Sequence, residues 1–183
     1  QELPSRFAKW QQAELPKLTR EARWQVLDVL AVSSEDTNLN TAEGGLVVVD
    51  GPRRKDSDKY VLTAQTFQRK VTGVRLDAFT DKDLPRKGPG LGGDGSFALG
   101  DFKIVAKPLD AASKEPSVTL KLKPVQAAFE EANQPLKFAV DDNLGTAWRA
   151  NADGGKDNAA LFEIEGGFPG FAAGAEWSVE LKF

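Results

Sequence analysis

Along most of the chain, apolar and polar residues alternate one by one. Val74, Leu76 and Ala78 are separated by Arg75 and Asp77, and Val118, Leu120 and Leu122 by Thr119 and Lys121. Trp177, Val179, Leu181 and Phe183 are separated by Ser178, Glu180 and Lys182. A period of two turns one set of side chains to a core and the other to water, as a half-buried strand requires. Shorter runs predict further strands over 24–32, 45–49, 59–64, 97–105 and 159–165. In the run around Gly100 the parity slips: Phe97 and Leu99 precede the glycine, Phe102 and Ile104 follow it. A bulge at Gly100 is expected to return both pairs to one face.

The first 23 residues follow another period. Ser5 can cap a segment in which Phe7, Trp10 and Glu14 recur near helical spacing, with Pro4 ahead of the cap and Pro16 closing the run. These features predict a short helical arm over 1–23, packed on a β domain over 24–183. Short strands punctuated by Gly, Pro and Asp, with no long helices between them, predict an all-β fold: an antiparallel β-sandwich or jelly roll. The stretch 107–116, with Pro108 and Pro116, has the composition of a linker. Each flank is too short to close a core of its own, so one domain is expected.

Composition narrows the chemistry. The 183 residues include no His, Cys or Met, and 24 Lys+Arg against 27 Asp+Glu leave a net charge of −3. Without Cys there is no disulfide, thiolate metal site, covalent c-type haem attachment or thiol nucleophile. Without His there is no Ser-His-Asp triad and no imidazole-held zinc or iron. A metal would sit among oxygens, which favours calcium or magnesium. The acidic balance argues against nucleic acid as a partner. Apolar runs such as Leu46-Val47-Val48-Val49 are too short for a helical membrane span, so no membrane insertion is expected. No signal peptide is visible, and a chain that opens on Gln1 without Met is expected to be a processed product or an excised domain.

Several motifs carry candidate chemistry. Gly88-Pro89-Gly90-Leu91-Gly92-Gly93 has the spacing of a dinucleotide loop, but Asp94-Gly95-Ser96 leads into a strand instead of a helix N-terminus. Without that helix nothing meets a pyrophosphate, so tight backbone turns are the expected role. Carboxylates are plentiful, yet no spacing selects a catalytic pair. In the segment 141–148, Asp141, Asn143 and Thr146 offer oxygens that can converge with backbone carbonyls, as Ca²⁺ requires, and Trp148 follows as an apolar anchor. The same residues equally suit an Asx turn that bonds its own backbone. A second acidic turn, 151–157, carries Lys156 and reads as a solvated loop. Two basic clusters, Arg53-Arg54-Lys55 and Arg86-Lys87, and Arg149 beside Trp148 complete the set. Arg and Lys suit carboxylate, sulfate or vicinal hydroxyls, and Trp suits sugar rings. A rim of Arg86, Lys87, Trp148 and Arg149 would therefore hold a polysaccharide or acidic glycan; the alternative is solvated charge.

The 141–148 turn resembles the Asp-Gly…Thr-x-Trp turn of discoidin-type (coagulation factor 5/8 C-type) galactose-binding-like domains, with Asp142 in place of the usual Gly. A longer series resembles a module of large planctomycete multidomain proteins that also carry cytochrome c-like segments. Its pieces, in order, are Trp10, the stretch 24–30, the Tyr60 strand, 71–79, Leu84-Pro85, Gly88-Pro89-Gly90, 95–102, and Asp141 to Trp148. That pattern commonly has Glu at positions 77 and 101, Asn at 96, a His just before the 159–163 strand and a continuation past 183; none is present here. No haem-bearing signature is present either.

The resemblance implies a jelly-roll sandwich in a periplasmic or cell-surface protein, with the parent protein's other domains as partners. It also implies that Asp101, on a strand that precedes the turn, completes a structural Ca²⁺ shell with Asp141, Asn143 and Thr146. In that case the strand order is permuted relative to discoidin-type domains. The expected function is non-catalytic carbohydrate binding; the alternative is a structural or protein-docking module.

Overall fold

The alternating runs pair as antiparallel strands in facing sheets. The computed structural model describes residues 24–50, 57–150 and 155–183. The arm expected over 1–23, the cluster Arg53-Arg54-Lys55 and residues 151–154 of the second acidic turn lie outside the described residues. The larger sheet runs β1 (Asp28–Ser34), β4 (Lys59–Thr66), β12 (Ala175–Lys182), β7 (Asp101–Pro108), β8 (Val118–Thr119). The smaller runs β5 (Val71–Ala78), β11 (Asn158–Phe168), β9 (Leu122–Ala127). Two separate pairs are β6 (Phe97–Leu99) with β10 (Trp148–Ala150), and β2 (Asn38–Ala42) with β3 (Leu46–Asp50). Every pairing is antiparallel, and the architecture is all-β and sandwich-like.

The core lies where the inner faces meet. Trp177, Val179 and Leu181 of β12 are buried, as are Ala160, Phe162 and Ile164 of β11. Aromatic rings join the layers edge to face: Phe102 meets Phe162 at 5.0 Å and Phe168 meets Trp177 at 5.8 Å between centroids. The two central strands, β11 and β12, are consecutive in sequence, so one connection spans both layers.

Two expected strands change sheet partway. At Gly100 the chain leaves β6, which pairs with β10, and enters β7, which pairs with β12. The Gly100 amide still donates to Lys182 O at 2.8 Å. Phe97, Leu99, Phe102 and Ile104 all reach the core, by a change of sheet at Gly100 where a bulge within one strand was expected. At Leu120, buried at 5% exposure, the chain passes from β8 of the large sheet to β9 of the small one and makes a corner of the sandwich. The 107–116 stretch connects β7 to β8 within one sheet. Strand β2 (Asn-Leu-Asn-Thr-Ala) lacks apolar alternation and forms by pairing with β3; neither strand holds a buried residue.

The outer faces differ. On the large sheet Lys107 meets Glu176 at 2.8 Å and Lys59 meets Glu180 at 2.7 Å across strands, and Lys182 meets Glu180 at 3.3 Å within β12, a row of ion pairs that belongs in water. On the small sheet Ala159 and Leu161 of β11 stand beside Arg75 and Asp77 of β5 and Gln126 of β9.

Candidate functional site

The 141–146 turn follows a 3-10 helix, Leu136–Val140, that buries Leu136 and Ala139. Asp141 Oδ1 accepts from the Asn143 amide at 3.0 Å, and its Oδ2 from the Thr146 hydroxyl at 2.8 Å. Asn143 Oδ1 accepts from the Gly145 amide at 3.0 Å. The turn thus takes the form of an Asx turn closed on its own hydrogen bonds. Asp142 holds a left-handed backbone, φ 58°, where glycine is usual, and its carboxylate pairs with Lys103 Nζ at 2.9 Å. The same ammonium lies 3.3 Å from Asp101 Oδ2, and Lys182 Nζ lies 3.0 Å from that oxygen. Asp142 first, then Asp101, raises the Lys103 pKa; the hydrogen bond to Asp101 leads the rise at Lys182.

Strand β7 therefore brings Asp101 beside the turn, but with two ammonium groups on one buried carboxylate oxygen. A calcium ion on that oxygen would face both cations at contact distance. Asp101, Asp141, Asn143 and Thr146, as placed, fit a turn linked by lysine and not a calcium shell.

Of the expected rim Arg86, Lys87, Trp148 and Arg149, Trp148 does not reach the surface. Trp148 is fully buried: its indole N–H donates to Phe129 O at 3.2 Å and its ring meets Phe97 edge-on at 5.3 Å. The anchor role holds, but the sugar-platform role is corrected, because no face of the ring reaches solvent. Arg149 Nη2 lies 2.6 Å from Asp94 Oδ2, and Nε lies 3.4 Å from Glu131 Oε1. The Ser96 hydroxyl and amide, then Arg149, outweigh desolvation and hold Asp94 down to about 2. Arg149 clamps the glycine loop to β10 through Nη2. Arg86 and Lys87 are exposed on a 3-10 turn, Pro85–Lys87, in the same connection as Asp94. The glycine loop folds on itself through Gly90 N to Gly95 O at 3.0 Å and Gly92 N to Ser96 O at 2.9 Å, the tight-turn role its composition suggested.

A different site emerges on the outer face of the small sheet. Leu161 of β11 stands in register with Arg75 of β5 on one side and Gln126 of β9 on the other, and Ala159 with Asp77. Trp24, 49% exposed, lies over this face, its Cη2 3.9 Å from where a Cβ of Gly73 would be. The missing side chain at Gly73 lets the indole come down onto the strand. Trp24, Arg75, Gln126, Ala159, Ala160 and Leu161 line a cleft of about 270 Å³. Arg75 Nε donates to Asp77 Oδ1 at 2.9 Å and Nη2 lies 2.7 Å from the same oxygen, which leaves Nη1 and Oδ2 outside that pair. An aromatic face, an apolar floor and a fixed donor–acceptor pair meet at one place. Sequence reasoning missed this convergence, although Arg75 and Asp77 were legible as the outward residues of an alternating strand and Trp24 as a strand-initial aromatic.

No family model matches the chain, and neither a curated protein nor a solved structure matches it.

Proposed function

We propose that this chain is a non-catalytic carbohydrate-binding module, a jelly-roll sandwich of galactose-binding-like type within a larger periplasmic or cell-surface protein. The observation that carries the reading is the half-exposed indole of Trp24 above the Arg75–Leu161–Gln126 row. A sugar ring has an apolar face of C–H groups and a rim of hydroxyls. Indole takes the first by hydrophobic and dispersion contact, and guanidinium, carboxylate and carboxamide take the second. The chain carries no imidazole or thiol, and no carboxylate is among the residues that line the cleft, Asp77 standing in register beside Ala159. That suits holding a sugar and not the two-carboxylate chemistry of glycoside cleavage.

The test is co-sedimentation with insoluble polysaccharides and migration in gels cast with soluble ones, with reducing-sugar release assayed in parallel. Retention without release is expected, and equally so in calcium and in chelator, because Lys103 supplies the cation at the 141–146 turn. Release of reducing sugar, or retention by no glycan, overturns the reading. A docking role has one observation in its favour: Leu46 and Val48 are exposed on a β2–β3 hairpin without a buried residue. Retention by no glycan would leave that hairpin as the functional surface.

A further inference from the structure

We propose that the cleft under Trp24 takes a neutral polysaccharide and rejects acidic ones, an inference that rests on the carbohydrate reading above. It follows from how charge is arranged on this sheet face. Arg75 is held by Asp77 through a hydrogen bond from Nε and an ion-pair contact of Nη2 to the same oxygen. In the neighbouring row Lys123 stands in register with Glu163, and beyond it Lys121 lies 3.7 Å from Glu165. Among the residues that line the cleft Arg75 is the one cation, and it has a carboxylate beside it, so a sulfate or uronate entering there meets no uncompensated positive charge. It would shed water and gain only a guanidinium already shared with Asp77, next to a carboxylate that repels it. The chain's net charge of −3 adds no long-range attraction.

A neutral sugar meets the opposite situation. A hydroxyl both donates and accepts. Nη1 of Arg75 can give a hydrogen bond to one hydroxyl oxygen while Oδ2 of Asp77 receives one from its neighbour, and Gln126 can do either. The Arg75–Asp77 pair fixes both groups before ligand arrives, which lowers the ordering cost of binding. At about 270 Å³ the cleft lies just under the ~300 Å³ lower end of ordinary small-molecule pockets. That suits one ring of a longer chain.

The experiment compares the whole chain with Trp24→Ala and Asp77→Asn by affinity electrophoresis and calorimetry. The neutral panel is β-glucan, xylan, mannan and galactan; the acidic panel is polygalacturonate, alginate and a sulfated galactan, each at low and high salt. Circular dichroism confirms that the variants are folded. The chain is expected to bind at least one neutral glycan with little salt dependence and to lose about tenfold or more in affinity with Trp24→Ala. Asp77→Asn, which frees the Arg75 charge, is expected to weaken neutral binding and to bring in salt-sensitive binding to the acidic panel. Binding confined to acidic glycans would overturn the neutral assignment and leave the carbohydrate reading standing. Binding to neutral glycans that survives Trp24→Ala would overturn the placement in this cleft, and silence on both panels would overturn both proposals.

Discussion

At the scale of single residues, buried polar groups in this fold act as internal ligands. Asp58, 5% exposed, accepts from the amides of Glu35 and Asp36 at 3.0 Å on Oδ1, and from the Thr37 amide at 3.0 Å and hydroxyl at 2.7 Å on Oδ2. Its Oδ1 also accepts the Lys59 amide at 2.8 Å. Burial works to raise its pKa, yet the hydrogen bonds from Thr37, Lys59 and Glu35 prevail and hold it below the usual range. The loop between β1 and β2 is thus wrapped around one carboxylate. Replacing Asp58 by Ala strands these donors and is expected to cost about 2–4 kcal/mol, read as a lower urea midpoint at unchanged m-value. Trp148 teaches a related lesson. Its place after an Asx turn marks an anchor, but whether a Trp faces core or solvent depends on what packs over it, here Phe97 and the Phe129 carbonyl.

At the scale of elements, the connection 88–96 shows how composition becomes geometry. A Cβ on Gly90 would run into the carbonyl group of Ser96, whereas one on Gly93 would meet nothing within 4 Å. Gly90→Ala is therefore expected to destabilise by more than about 2 kcal/mol and Gly93→Ala by less than about 0.5 kcal/mol, compared by thermal and urea unfolding. Equal effects would mean that the loop does not cross itself. Strand existence was legible wherever apolar residues alternate, as in β5 and β12. Strand β2 was not legible, because its formation depends on a partner and not on its own pattern. The break at Gly100 was legible as a parity slip, but its form was not: a bulge and a change of sheet move the same side chains to the same side.

At the scale of the whole molecule, acid stability follows from the carboxylates the fold engages. Folded-state pKa values are lowered at Asp58, Asp142, Asp157 and Glu180, and at Asp94 to about 2. The unfolded chain takes up protons first, near the ordinary value of about 4, so these groups stabilise the fold fully above that pH and progressively less below it. The melting temperature is expected to hold level from neutrality to about pH 5 and to fall between about pH 4 and pH 2, with Asp94→Asn removing part of the fall. A melting temperature that is flat to pH 2 would contradict these engagements. By itself, the sequence determined the all-β class, the inward and outward residues of the longer strands, and the absence of imidazole and thiol chemistry. Those follow from side-chain type and from a period of two, both local properties. The tertiary structure decided which residues share a surface. Arg75 and Gln126 meet because β11 comes between β5 and β9, Lys103 reaches both Asp101 and Asp142 because β7 runs past the 3-10 helix, and Trp148 is enclosed by segments remote in the chain. Pairing across long separations depends on the mutual fit of two whole faces, and no stretch of chain carries that information alone.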